Sequence, residues 1–307
     1  MGTIKEVVGI SIGSSKRDHT VELELLGEQV HIWREGTDGD MDKALARLRE
    51  LDGTVDAFGM GGIDLFLTAA GRDYHFREAK RFTRATTKTP LLDGTGLKGA
   101  VEGDIPRFLR DELGLDLTGK RVLVTSAVDR WGLADGFYRA GCEMTYADLL
   151  YALGIDIMIH DRRTLERVIH VIAPIAIQLP FAWLYDAEAD HETEILSESK
   201  HSALYRDADI IAGDYKYVRK YMSCDMSGKW IVTNTTTAED VEFLRERGVE
   251  LLITSTPRLE GRSFGTNMIE ATLVALDGAK GRLPAERYME LLKSVGFAPD
   301  VQWLQRD

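Results

Sequence analysis

From Asp116 onward, short apolar runs alternate with helical patterns, and this alternation constrains the fold more than any other feature of the chain. Five runs read as strands: Arg121–Ser126, Glu143–Ala147, Asp209–Gly213, Lys229–Thr233 and Glu250–Thr254. Helical spacing falls between them at Trp131–Arg139, Thr164–Ile172, Tyr215–Tyr221 and Ala238–Arg247. Strand–helix–strand units need right-handed crossovers and build a mostly parallel sheet whose ligands sit at the carboxyl ends of the strands. Functional side chains are therefore expected just after each strand.

The first part of the chain has a different rhythm. Val7–Ile12 and Val21–Leu26, the latter continuing to Val30–Trp33, read as strands around the polar turn Gly13–Asp18, and a hairpin-like start is expected. Asp40 to Asp42 precede Ala44, Leu45, Leu48 and Leu51 at helical spacing, with Gly53 as the stop. Val55–Phe58 reads as a buried strand running into Gly59-Met60-Gly61-Gly62-Ile63-Asp64, a flexible loop where backbone can approach a ligand closely. Two last helices, Thr266–Leu276 and Pro284–Val295, are expected to pack back on this part.

Composition narrows the function classes. Thirty-eight Lys and Arg against 50 Asp and Glu in 307 residues give a formal charge of −12, which argues against a sequence-independent grip on DNA or RNA. Two distant cysteines, Cys142 and Cys224, form no CxxC or disulfide framework, and a reduced cytoplasmic setting is expected. The seven histidines show no HExxH or paired spacing, so no metal is expected. The opening MGTIKEVVGISIG reads as a first strand rather than an export signal. The longest apolar stretch, Val168 to Leu184, is interrupted by Pro174, Gln178 and Pro180, so no segment reads as membrane-spanning.

Three motifs suggest chemistry. Gly119–Ser126 followed by Ala127-Val128-Asp129-Arg130-Trp131-Gly132 has the grammar of a Rossmann strand turning into a helix, with Ser126 in place of the first glycine. Helix-terminal amides there bind phosphate, or the segment is a structural turn. Asp148, 22 residues after Ser126, stands where a ribose-binding acid would stand, and would favour NAD over NADP; a strand-end cap explains it equally. Thr233 and Asn234 offer further polar groups to a cofactor, with Thr236 or Thr237 capping the next helix as the simpler role for that run. Asp93, flanked by glycines in Leu91-Leu92-Asp93-Gly94-Thr95-Gly96, is the candidate acid–base group, with Lys88 or Lys80 as proton partner; a helix-capping turn accounts for the same residues. Arg258, Arg262, Ser263 and Asn267 suit an anionic ligand, and Ser14, Ser15, Lys16 and Arg17 form a weaker anion candidate.

This order of parts, together with the Asp93-Gly94-x-Gly96 turn, resembles the shikimate and quinate dehydrogenase family, and the chain resembles bacterial proteins labelled quinate 5-dehydrogenase. The spacing of Ser126, Trp131-Gly132 and Ala134 is similar to the nucleotide turn of methylenetetrahydrofolate dehydrogenases. The resemblance implies an α/β fold with three parts. An N-terminal α/β substrate domain would span 1–115, a Rossmann-like domain with a doubly wound parallel sheet 116–262, and C-terminal helices packing back across the cleft 263–307. It implies an NAD(P)-dependent oxidoreductase acting on a small polar, anionic hydroxy or keto substrate, with room for a homodimer. The alternatives are a reduced-pterin dehydrogenase or cyclohydrolase, and a catalytically silent metabolite-binding protein on the same scaffold.

Overall fold

The computed structural model describes residues 4–179, 201–255, 258–259, 262–263 and 265–305, with backbone alone at 258–259 and 262–263. The chain is an α/β protein built on two doubly wound sheets. The first sheet contains β1 (Lys5–Ser11), β2 (Thr20–Leu25), β3 (Glu28–Gly36), β4 (Ala57–Gly61) and β7 (Leu91–Leu92) in the order β2-β3-β1-β4-β7. β1 runs parallel to both β3 and β4. The expected opening hairpin is thus displaced by one strand. It is β2 and β3 that pair antiparallel, through Leu26 and Gly27 at φ 55° and 80°, a two-residue turn whose twist matches the strands it joins. The segment expected as a loop at Gly59–Gly61 belongs to strand β4.

A small hairpin, β5 (Phe66–Ala69) and β6 (Arg72–His75), leaves the end of β4. The second sheet has the order β15-β12-β11-β10-β8-β9 and comprises β8 (Arg121–Val124), β9 (Glu143–Tyr146), β10 (Ile210–Ala212), β11 (Trp230–Thr233), β12 (Leu251–Thr254) and β15 (Asp300–Trp303). All are parallel except β15, an antiparallel edge on β12, so the end of the chain completes this sheet after the helices that precede it. The remaining strands, β13 (Arg258–Leu259) and β14 (Arg262–Ser263), form a two-residue ladder.

Helices cover both faces of each sheet, as parallel sheets require. In chain order they are α1 (Met41–Leu51), α2 (Lys80–Thr83), α3 (Thr95–Asp111), α4 (Trp131–Arg139), α5 (Asp148–Leu153), α6 (Arg162–Ala176), α7 (Ser202–Asp207), α8 (Tyr215–Lys220), α9 (Ala238–Glu246), α10 (Thr266–Asp277) and α11 (Ala285–Ser294). Alternation along the strands sorts the core. Val122, Val124, Ile210, Ala212, Val232 and Ile253 share one cluster with α4 and α6, while Leu123, Ile211, Ile231 and Leu252 share another with α8 and α9. Helix α3 joins the two halves: Leu97, Ala100 and Val101 pack in the core of the first sheet, and Ile105 and Leu109 in that of the second.

Close approach of helices explains several glycines. A Cβ at Gly132 would be driven into the carbonyl oxygen of Gly99, and one at Gly136 would come within 2.7 Å of that of Gly103. Gly132 therefore lets α4 lie against α3. In the first sheet, Gly59 leaves space for the Sδ of Met268 and the backbone of Asn267, so what approaches the β4 glycines is the first turn of α10. Among the described residues no helix is long and apolar enough to cross a membrane; residues 180–184 of the apolar stretch lie outside them.

Candidate functional site

Between the two halves lies a cleft of about 1050 Å³. One wall comes from the ends of β4 and β7, with Asp64, Phe66, Thr95, Gly96, Lys98 and Glu102; the other comes from the ends of β8 and β10, with Val128 to Gly132, Asp214 and Tyr217. In both sheets the first strand lies between the second and third parallel strands. Such an order creates a switch point where adjacent connections leave in opposite directions and a crevice opens. In the second sheet this is the β8/β10 crevice.

A side chain of the protein fills that crevice. Arg130, buried, makes a close ion pair with Glu102, donates from Nη2 to Asp214 Oδ2 at 2.7 Å, and lies 3.3 Å by Nε from Asp129 Oδ2. Burial by itself would lower the arginine pKa; the carboxylates reverse this and raise it, so the charge is permanent. Lys98 Nζ donates to Asp129 Oδ1 at 3.0 Å. Burial is the largest influence and opposes its charge, as does Arg130, but Asp129, Asp64 and Glu102 together prevail and the pKa is raised. Lys98 is a fixed ammonium rather than a base or nucleophile. Asp129 is held ionised at about 2, because Lys98 and Arg130 overcome its burial. Burial pushes Glu102 upward against Arg130 and Lys98, and its Oε2 has no hydrogen-bond partner among the described residues.

Asp148 does not face the cleft. Its Oδ1 accepts the Val128 N–H at 2.8 Å, so the carboxylate caps the β8–α4 turn from inside. Burial lifts its pKa to about 6 even though turn amides stabilise the anion. Asn234 is also committed internally: Oδ1 accepts from Tyr215 N at 3.2 Å and from Thr233 Oγ1 at 3.0 Å, while Nδ2 donates to Asp214. Thr237 caps α9 in a reciprocal box with Asp240. Ser126, buried, has an Oγ with no partner among the described residues.

Asp93 holds loops together. Its side chain is fully buried; Oδ2 accepts from Leu65 N at 2.6 Å and Phe66 N at 3.2 Å, and Oδ1 from Thr95 N at 3.0 Å. The cation beside it is Arg282, at 3.7 Å, whose guanidinium also stacks 4.0 Å from the Phe66 ring centroid. The expected lysines are elsewhere. Lys88 runs along Gly53, its backbone tied to Asp52, and Lys80 opens α2; neither lines the cleft. Behind Asp93 stands Glu270, raised to about 7 by burial and by Asp93, and accepting from Gly94 N at 2.6 Å and Tyr288 Oη at 2.6 Å.

Of the two anion candidates, Ser14, Ser15, Lys16, Arg17 and Asn267 lie away from the cleft lining. Ser14 caps a 3-10 turn at Ser15–Arg17, and Ser15 binds Asp38 through N and Oγ at 2.7 and 2.8 Å, bracing the exposed Lys16 and Arg17. Asn267 sits in the first turn of α10 against Gly59 and Gly94. The side chains of Arg258, Arg262 and Ser263 lie outside the described residues. Lys98, Glu102, Asp214 and Asp64 were not singled out from the sequence. All four carried a signal: Asp64 and Asp214 each follow a strand by a few residues, and Lys98 and Glu102 share one face of α3 at i, i+4. No group of three or more His, Cys, Asp or Glu residues able to hold a metal occurs among the described residues.

Residues 96–304 match the family described as domain of unknown function DUF8754. The chain belongs to the DUF8754 family. Residues 6–93 match a second description, domain of unknown function DUF8753, so the DUF8754 match begins within the first turn of α3. No curated protein matches the sequence. Solved structures similar to this DUF8754 chain include a glutamate dehydrogenase from Thermus thermophilus, 14% identical over 96% of this chain and 74% of that one, with a TM-score of 0.39. An L-tryptophan dehydrogenase from Nostoc punctiforme is 11% identical over 96% and 80%, at 0.39. A glucose-galactose binding protein from Geobacillus stearothermophilus is 10% identical over 99% and 98%, at 0.34. The matches thus include both dehydrogenases and sugar-binding proteins, and values this low transfer no activity to the DUF8754 chain.

Proposed function

We propose that this chain binds a small polar metabolite in the cleft between its two sheets and does so without a nicotinamide dinucleotide. The observation that carries this reading is the state of the β8/β10 crevice. A dinucleotide needs a glycine-lined turn with free amides for its pyrophosphate. Here Arg130 occupies the crevice, Asp148 takes the Val128 amide, and Glu102, Asp129 and Asp214 surround the position with carboxylates. These groups do not fit a doubly charged pyrophosphate. What remains open is a large cleft edged by aromatic rings and fixed charges, the surroundings in which a compact polar ligand is oriented.

The oxidoreductase reading draws support from the strand order and from the place of Asp148 after the second strand of that sheet. It is weakened by the absence, among the described residues, of a lysine paired with Asp93 and by the engagement of both oxygens of that carboxylate with backbone amides. Thermal unfolding with NAD, NADH, NADP, NADPH, a reduced folate and a set of monosaccharides and amino compounds separates the readings. A ligand at about 100 times its Kd adds about 2.7 kcal/mol and a visible shift. The binding-protein reading expects a shift with a small polar compound and none with a dinucleotide. A shift with one dinucleotide, accompanied by turnover, would replace it.

A further inference from the structure

We propose that the ligand of this cleft is a neutral polyhydroxyl compound, a sugar or polyol, whose hydroxyls are held at the floor formed by Lys98, Glu102, Asp129, Arg130 and Asp214; this rests on the metabolite-binding reading. Eight acids and seven bases line the cleft, so its charges balance to within one. Most of them are already matched. Lys98 holds Asp129 at 3.0 Å, Arg130 holds Glu102 and Asp214, Arg107 holds Asp104 at 2.6 Å, and Arg139 holds Asp135. Arg282 lies 3.5 Å from Asp73 and 3.7 Å from Asp93, and Glu290 pairs with Arg287. Asp64 and Lys216 are engaged as well, and the exposed Glu286 and Lys293 of α11 are of opposite sign. A charged ligand group at the floor would have to break a buried ion pair, which is costly, whereas a hydroxyl would not.

The floor nevertheless has spare hydrogen-bonding capacity of both kinds. Glu102 is 2% exposed and lines the cleft; its Oε1 accepts from Arg130, and its Oε2 has no partner among the described residues. Arg130, buried and lining the same floor, has an Nε that makes no hydrogen bond to any of them. A buried polar atom without a partner is costly, and the group that answers an orphan acceptor and an orphan donor alike is a hydroxyl, with one donor and two lone pairs. Burial raises the Glu102 pKa, and a hydroxyl serves that oxygen in either protonation state, accepting from the acid or donating to the carboxylate. The rest of the lining suits the same ligand: Thr95 and Tyr217 bring hydroxyls of their own, and Leu67, Phe76 and Met289 give apolar surface to a carbon skeleton.

Probes of one shape and three charges test this on the full chain, by thermal unfolding and calorimetry: glucose, glucosamine and glucuronate, then galactose, galactosamine and galacturonate, with ribose, arabinose and myo-inositol as further neutral members. At least one neutral member is expected to raise Tm by roughly 4 °C at about twenty times its Kd, ahead of any amine or acid counterpart. Its Kd is expected to change less than about twofold between about 0.05 and 0.5 M salt. Glu102→Gln is expected to weaken its binding about tenfold, read by calorimetry below the variant's own Tm, and Tyr217→Phe, at a half-buried position, roughly threefold. Silence from every neutral member overturns the polyhydroxyl proposal, as does an amine or acid that binds more tightly than its neutral counterpart; a shift from such a charged compound leaves the metabolite-binding reading standing. Unchanged affinity in both variants overturns the floor as the place of binding. A shift with a nicotinamide dinucleotide and none with these compounds overturns both readings.

Discussion

The two sheets share one order of parallel strands, yet their switch points are closed by opposite means. At β1/β4 in the first sheet the closure is backbone and apolar: the first turn of α10 lies on Gly59, Gly61 and Gly94, with Met268 in the space that side chains at Gly9 and Gly59 would need. At β8/β10 in the second sheet the closure is ionic, Arg130 among Glu102, Asp129 and Asp214. The first closure leaves little unmatched. The second leaves a buried carboxylate oxygen, Glu102 Oε2, with no donor among the described residues. One topology is therefore closed over in one half and edges an open cleft in the other, and only the side chains at the strand ends tell them apart.

The largest test of this contrast is Arg130→Met. Removing the guanidinium leaves the buried Glu102 carboxylate without its cation and takes one partner from Asp129 and one from Asp214, and a loss of about 3–5 kcal/mol in denaturant unfolding is expected. A loss below about 1 kcal/mol would mean that the ionic closure is ornamental to the fold. The next test uses pH. Glu270, raised to about 7 from an ordinary 4.5, binds more protons folded than unfolded between those values. Its contribution is fully present below pH about 4.5 and fades as pH rises through 7, by up to roughly 3 kcal/mol. Asp148, at about 6, acts in the same direction. Asp129, held at about 2, acts oppositely, its share being lost as pH falls from the ordinary 3.8 toward 2. Glu270→Gln should flatten stability between pH 5 and 7 relative to the parent; an unchanged slope would remove Glu270 as the source.

Smaller effects probe the apolar closure. Gly59→Ala brings a Cβ within 2.9 Å of Met268 Sδ and 3.0 Å of the Asn267 carbonyl, and a cost of about 1–3 kcal/mol is expected. A neutral result would show that α10 can shift away from the sheet. At the bottom of the scale, Lys88→Ala, outside the cleft lining, is expected to change stability by less than about 0.5 kcal/mol and to leave ligand binding intact.

Much of this architecture is legible in the sequence, because hydrophobic period and strand-end polarity are local signals. The helix at Trp131–Arg139 and all five parallel strands of the second sheet lie within a few residues of where their patterns place them. The opening hairpin misled because β1 pairs with β3 across an intervening strand, a non-local choice that no turn signal encodes. The site was harder. Asp93, Asp148 and Asn234 are polar residues in suggestive places, and whether such a group faces a ligand or a backbone amide depends on what the rest of the chain brings to it. Lys98 and Glu102 sit in a helix, and only the approach of the β8–α4 turn through Gly132 brings them together with Asp129 and Arg130.

The central claim is that the β8–α4 turn is already satisfied from within by Asp148 and closed by Arg130. Hydrogen–deuterium exchange of segment 126–132, with and without excess NADH, tests it most directly. The account predicts that the Val128 amide is protected in the free protein and that NADH leaves the segment unchanged. Rapid exchange at Val128 in the free protein, slowed by NADH, would contradict it and return the crevice to a dinucleotide.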